Sequence, residues 1–385
     1  MPRNRPKLLL LLGALLVLLA CGDLVPLAPG LVPPESQQEL LSSLEGSRQE
    51  AAASELGHFY DLPPDLLLAL AWSGSSFVES DPEHGECSPR YAWLGLSEGQ
   101  RLRASELTGL SVEQISEERE AGMVAGAALL DELRREIDPS ASAAFFDARW
   151  WPVVVAFADS DDEWIDAQFA LEVFSTLQRG FEVEDGEGQP VVLVPREIPG
   201  LSEVLLPNAP ADSEAREGGS GYPARSQFLA AHSSNYSNRS GGTSSIDSIV
   251  IHTIEGSHPS AVSWFRNPAS DVSAHYVVKR SDGAVTQMVY DEDRAWHATN
   301  YNNRSIGIEH EGHAHSSSNW TEPMLEGSAR LAAWLATRYG IPVDRDHFIG
   351  HSEVPGSDKS DPGSHFPWER YLTMVRCYQG AIDCD

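Results

Sequence analysis

Five residues in the last third of the chain are of the types, and at the spacing, that hydrolytic chemistry needs. His252 follows the apolar run Ile249-Val250-Ile251, and Glu309 ends Ser305-Ile306-Gly307-Ile308-Glu309. His351 stands in Gly350-His351-Ser352-Glu353, and Lys359 and Asp361 share Lys359-Ser360-Asp361-Pro362-Gly363. Two histidines and a carboxylate are the ligand set of a catalytic zinc ion, which keeps three protein ligands and a fourth position for water. A separate glutamate and lysine supply an acid/base group and a fixed positive charge for a developing oxyanion. Singly, each is ordinary: a histidine at a strand end is more often structural, and Asp-Pro-Gly is usually only a turn. Their order and contexts make them a set.

The elements that must position them read as α/β. Residues 248–253 form a buried strand, 274–280 alternate, and Ser281-Asp282-Gly283 turns them into a second strand at 284–289. Residues 306–309 form another strand. Glu322-Pro323 opens a helix through Tyr339 with Leu325, Ala329, Ala332 and Leu335 on one face, and Gly340 and Pro342 stop it. A short strand at 347–351 precedes the Lys359 loop. Upstream, residues 36–180 carry a helical pattern: Pro63-Pro64-Asp65 opens the apolar run 66–72, Asp138-Pro139 ends a helix, and Gly180 ends the last one. Between the halves, 181–221 are rich in glycine, proline and acidic residues and read as a linker, with a short strand at 191–194.

Taken with these motifs, residues 222–375 resemble the zinc-dependent N-acetylmuramoyl-L-alanine amidases (amidase type 2), a superfamily that includes bacteriophage T7 lysozyme and the peptidoglycan recognition proteins. The resemblance implies an α/β domain with a central mixed sheet flanked by helices, and one Zn2+ per chain held by His252, His351 and Asp361. It makes Glu309 the general base, a place some relatives fill with a tyrosine from elsewhere, and sets Lys359 against the oxyanion. It puts His275, Trp296 and His297 at positions that line the substrate cleft. The implied substrate is peptidoglycan or its muropeptides, cut at the amide between the lactyl group of N-acetylmuramic acid and L-alanine. The alternative is a non-catalytic peptidoglycan-binding or tethering protein, but such relatives lack a full ligand set. A rival zinc motif fails: His310-Glu311 begins His-Glu-x-x-His, but position 314 is Ala. His313 and His315 are expected to be exposed loop residues.

The helical half resembles, less closely, the lysozyme-like domains of lytic transglycosylases. Residues 64–72, then Ser75-Ser76-Phe77, Gly95-Leu96 and residues 126–130 carry the likeness. In that family a glutamate before the Ser-x-Phe step protonates the glycosidic oxygen; here that position is Gly74. An all-α lysozyme-like domain without lytic activity is expected, either a glycan-binding groove or a spacer. Glu79 and Glu83 have no spacing that recommends them as substitutes.

The N-terminus addresses location. Arg3, Arg5 and Lys7 precede 13 apolar residues, 8–20, too few for a membrane-spanning helix. Leu18-Leu19-Ala20-Cys21 resembles a bacterial lipobox, which implies a signal peptide (1–20), a lipidated Cys21, a tether (21–35) and a lipid-anchored protein of the bacterial envelope, on its periplasmic or outer-membrane side. The full division is then 36–180 helical, 181–221 linker, 222–376 amidase and 377–385 tail, expected as a monomer. A net charge of −30 makes nucleic acid and anionic lipid surfaces poor partners. Cys377 and Cys384 are close enough in sequence to pair in an oxidising compartment, Cys87 stands alone, and no Cys-x-x-Cys suggests a thiolate metal site.

Overall fold

The structure is a computed structural model that describes residues 34–75, 77, 93–160, 162–185, 187–204, 219–314 and 316–382. The expected signal peptide, Cys21, residues 22–33 of the tether, Cys87, Glu79, Glu83, His315 and Cys384 lie outside these residues, and the last two tether residues open the first helix. Among the described residues no helix is long and apolar enough to cross a membrane.

The helical half is built from α1 (Pro34–Leu44), α2 (Gln49–Tyr60), α3 (Pro64–Ser75), α4 (Glu98–Thr108), α5 (Val112–Glu117), α6 (Arg119–Ile137), α7 (Trp151–Ala158) and α8 (Glu163–Arg179). α3 is buried on every side from Leu66 to Ser75, as a helix that is apolar all round must be, and the others pack about it. Ser97 and Ser111 close reciprocal capping boxes with Gln100 and Gln114 at the starts of α4 and α5. The Asp162 carboxylate accepts from the Trp164 and Ile165 amides to start α8, and Gly180 at φ +66° ends it.

The stretch expected as linker opens with structure. β1 (Phe181–Glu184) and β2 (Pro190–Leu193) pair antiparallel, and Val191, Leu193 and Ile198 bury into the helical core. The hairpin therefore belongs to the helical half, which is not purely α. Its side chains at 191 and 193 alternate inward while 190 and 192 stay exposed, the period of a half-buried strand.

The C-terminal half holds β3 (Gln227–Phe228), β4 (Tyr236–Asn238), β5 (Ser248–Thr253), α9 (His258–Arg266), β6 (Tyr276–Val278), β7 (Val285–Gln287), β8 (Asp293–Ala295), β9 (Ser305–His310), α10 (Glu322–Tyr339), β10 (Phe348–Gly350) and α11 (Trp368–Tyr378). Six strands form a mixed sheet in the order β10-β5-β9-β6-β7-β3, in which β10, β5, β9 and β6 run parallel and β7 is antiparallel to β6. Strand alternation divides its side chains between two faces. Ile249, Ile251, Ile306 and Ile308 pack with Leu325, Ala329 and Leu335 of α10 and Leu372 of α11. Each buried aliphatic chain of this kind contributes about 1.5–3 kcal/mol. On the other face Val277 and Ile254 pack against Ala261, Val262 and Phe265 of α9.

Ile165 of α8 joins this second cluster, so the two halves share buried apolar contacts. Charge reinforces them: Lys279 Nζ lies 2.7 Å from a Glu172 carboxylate oxygen, and Arg266 lies 3.4 Å from Asp162. The Arg280 guanidinium sits 3.9 Å over the Trp72 ring. Burial raises Glu172, but Lys279, Arg179 and Arg280 outweigh it and hold the carboxyl below its usual range.

Candidate metal centre

The carboxyl ends of three adjacent parallel strands meet at one cleft. His252 is the penultimate residue of β5, and its Cα partner in β9 is Glu309; His351 directly follows β10, whose Gly350 pairs with Ile251. Ligands gather outside the carboxyl ends of strands in such sheets. Asp361 completes the set from the following loop. A Cβ on Gly350 would stand 2.6 Å from Pro362 Cδ, so only glycine lets the Asp-Pro turn fold back this closely. The Ser352 amide then donates to the Asp361 carbonyl at 2.9 Å.

His252 Nδ1 lies 3.2 Å from Asp361 Oδ2, and His351 Nδ1 lies 3.1 Å from Asp361 Oδ1. One ligand atom from each of the three residues falls within a group no wider than 4.8 Å, and all three residues are buried. The two imidazoles face different oxygens of the one carboxylate, so all three side chains converge on one point of the cleft. Burial alone would raise the Asp361 carboxyl, but hydrogen bonds from His252 and His351 hold it well below the ordinary range. The Thr253 amide, 3.3 Å from Oδ2, adds a backbone donor to the carboxylate. The donor set is therefore anionic, desolvated and converging, which fits a divalent cation.

Glu309 is 1% exposed, with Oε1 4.0 Å from His252 Nδ1. Lys359 lines the same cleft, its side chain 11% exposed and its Nζ 3.7 Å from Asp358. Trp296 and His297 also line the cleft. His297 does so from behind the ligand: its Nδ1 is 2.9 Å from His252 Nε2, and its Nε2 is 3.3 Å from Ser305 Oγ. With Nδ1 of His252 given to a metal ion, Nε2 would carry the proton and donate to His297, which would donate in turn to Ser305; Ser305 Oγ donates to the Tyr301 carbonyl at 2.8 Å. Such outer hydrogen bonds fix the tautomer and orientation of a ligating imidazole. Burial keeps His297 well below the usual imidazole range, so it is neutral.

This arrangement explains a glycine in the sequence. A Cβ on Gly307 would come 2.6 Å from the His297 ring, so the Ile-Gly-Ile-Glu strand needs glycine there for the second histidine to fit.

His275 stands elsewhere. It is fully buried behind His297, ring centroids 5.5 Å apart, with Nδ1 accepting from the Gly307 amide and Nε2 2.7 Å from Arg239. It is not among the residues lining the cleft. Arg239 itself was invisible as a functional position in the sequence. It is 5% exposed and donates to the carbonyls of Asp291, Asp293, Asn302, Asn303 and Ser305, tying together the loops behind the site. Burial lowers it only to about 10, so it stays charged at neutral pH. His310 begins the incomplete His-Glu-x-x-His sequence and has a structural place of its own. It bridges the His252 carbonyl (2.9 Å) to Ser328 Oγ (2.7 Å), which locks β5, β9 and α10 together. His313, expected exposed, is 2% exposed and lies 3.3 Å from the Glu255 carboxylate. The turn at Gly312, at φ +116°, folds it inward. Cys377 is disulfide-bonded.

Residues 242–364 match the family model described as N-acetylmuramoyl-L-alanine amidase. The chain is 40% identical over 162 residues to N-acetylmuramoyl-L-alanine amidase A of Achromobacter lyticus, a match covering 38% of this chain and 90% of that protein. It is 35% identical over 113 residues to the 1,6-anhydro-N-acetylmuramyl-L-alanine amidase AmpD of Haemophilus influenzae, covering 27% of this chain and 59% of that one. A crystal structure of an AmpD selenomethionine derivative aligns over 40% of this chain and 97% of its own at 27% identity and a TM-score of 0.34.

Proposed function

The chain belongs to the N-acetylmuramoyl-L-alanine amidase family, and from that membership we propose which of its residues perform the reaction and how. It is a peptidoglycan hydrolase of cell-wall turnover, cleaving the amide between N-acetylmuramic acid and the L-alanine of the stem peptide. The observation that carries the residue assignment is the register of the sheet. It sets His252, Glu309 and His351 side by side at three strand ends, with Asp361 and Lys359 closing the same cleft.

His252, His351 and Asp361 would hold one Zn2+. Bound there, the ion supplies positive charge that acidifies water and polarises a carbonyl oxygen. Glu309, desolvated and within reach of that position, takes the proton of the attacking water and delivers it to the nitrogen of the departing L-alanine. Lys359 presents its ammonium to the oxygen on which negative charge develops. The relay from His252 through His297 to Ser305 keeps the ligand's donor nitrogen pointed inward. Trp296, half-buried and held by Ser237 and Ser273, offers an aromatic wall for the muramoyl-peptide. In the same reading Cys21 is lipidated and anchors the mature protein to a membrane of the bacterial envelope, with the amidase working on the wall beside it.

Two variants test the assignment. Glu309→Ala is expected to keep bound zinc and the native fold while losing about 10²–10⁴-fold in turnover. Asp361→Ala is expected to lose zinc, measured by elemental analysis of the purified protein, together with activity. Near-normal turnover in Glu309→Ala would remove it as the base.

A further inference from the structure

A second cavity opens where the two halves meet, on the side of the sheet that carries α9. It measures about 170 Å³, far more than the ~15 Å³ that holds one water. Trp164 and Gln168 of α8 form one wall, Gln227 of β3 another, and His258, Lys279 and Thr286 lie beneath them. Ligand sites favour such junctions between domains, with a largely apolar lining and a few converging polar groups.

One exposed carboxylate, Asp282, lines the cavity, its Oδ1 accepting from the Ala284 amide at 2.9 Å; the other polar groups are paired or uncharged. The Lys279 ammonium is neutralised by Glu172 at 2.7 Å. Burial, reinforced by the Lys279 charge, lowers His258 to about 3, so its imidazole is uncharged. Its Nε2 lies 2.9 Å from Thr286 Oγ1, to which the Gln227 carboxamide donates at 3.0 Å; that contact leaves the Gln227 carboxamide oxygen as an acceptor. An indole, two carboxamides, a hydroxyl and the Asp282 carboxylate, which accepts from hydroxyl groups and repels anions, suit a polyhydroxylated ring bearing an amide better than a phosphate or a free carboxylate. The cavity is also preformed: the Glu172–Lys279 and Asp162–Arg266 pairs and the buried Ile165 fix α8 against the sheet and α9.

We propose that this interdomain cavity is an accessory saccharide subsite that holds an N-acetylhexosamine unit of the glycan strand while the amidase cleft works on a neighbouring stem peptide. The proposal rests on the amidase reading and deepens it, since it makes the helical half a glycan-gripping part of the enzyme. α9 links the two places: His258 and Val262 border the cavity, and Phe265 borders the catalytic cleft. At about 1.5 Å per residue the nine-residue helix spans about 13 Å.

The test uses the full mature protein and two substrates, a soluble N-acetylmuramoyl tripeptide and purified intact sacculi, with N-acetylglucosamine tetramer as binding probe in titration calorimetry. Gln168→Ala, which touches none of the proposed catalytic groups, is expected to weaken tetramer binding at least fivefold. It should raise the apparent KM on sacculi by a similar factor and leave tripeptide hydrolysis unchanged. Trp164→Ala should do the same more strongly, and Gln168 serves as the control should loss of the indole disturb folding. No tetramer binding by the unmodified protein, unaltered binding in both variants, or displacement of the tetramer by sugar-free stem peptide would each overturn the subsite. Tripeptide hydrolysis reports separately on the amidase reading, which stands if the subsite fails.

Discussion

The two halves of this molecule differ in the space around one position each, Glu309 in the amidase half and Gly74 in the half expected to resemble a transglycosylase. At Glu309 the strand ends at a cleft, so the carboxylate meets His252 and the open side of the sheet. At Gly74, where a transglycosylase-like acid would stand, a Cβ would come 2.4 Å from the Leu94 carbonyl oxygen, and Gly95 crosses directly against it. A chain of backbone occupies the volume a catalytic side chain would need. The packing at Gly74 therefore excludes any side chain, and α3 serves as the centre of a core. A motif carries chemistry only where the fold leaves room for a substrate beside it.

The contrast can be pressed by mutation. Removing the Lys359 ammonium as Lys359→Ala is expected to lower kcat by about 10²–10³-fold, with a smaller change in KM, because the charge acts on the transition state. Steady-state kinetics on a soluble muramoyl peptide measures the split, and a change confined to KM would make Lys359 a binding residue. Gly74→Glu supplies the absent carboxylate, yet it should yield no glycan cleavage and destabilise the protein by about 3 kcal/mol or more, as overpacking against backbone does. Thermal unfolding reads the stability, and any shortened glycan product would show that the helical half retains a usable cleft.

Acid should loosen the amidase half first. Burial lowers His258 to about 3 and His310 to about 4, against an ordinary 6.5. The unfolded chain therefore takes up protons that these native imidazoles refuse. Stability from them is complete above pH 6.5 and declines as the pH falls toward 4, by up to about 1.4 kcal/mol per pH unit for each group. His58, the histidine among the described residues of the helical half, is exposed. Hydrogen exchange at pH 7 and pH 5 should show protection falling around α9 and β9 before α3; equal loss in both halves would contradict the assignment.

Much of the centre was legible in the sequence because its residues sit in local contexts with distinct periodicity. The strand at 248–253, the hairpin after Arg280 and the helix from Glu322 to Tyr339 follow from alternation, turn residues and capping. Register was not legible: nothing local pairs His252 with Glu309 across 57 positions, or brings Gly350 beside Ile251. Nor were the supporting contacts, since Arg239 and His310 act through carbonyls and hydroxyls that only tertiary folding assembles. His313 defied an expectation of exposure because the polarity of its neighbours resembles that of a surface loop. The hairpin at 181–193 hid in a stretch whose glycines and acids read as linker, and its alternating Val191 and Leu193 were the signal.

Mass spectrometry of muropeptides from purified peptidoglycan, digested with the mature protein with and without a chelator, tests the central claim most directly. The account predicts release of free stem peptides that stops on chelation, with the glycan chains left at full length. Shortened glycans, or stem-peptide release that persists after the metal is removed, would contradict it.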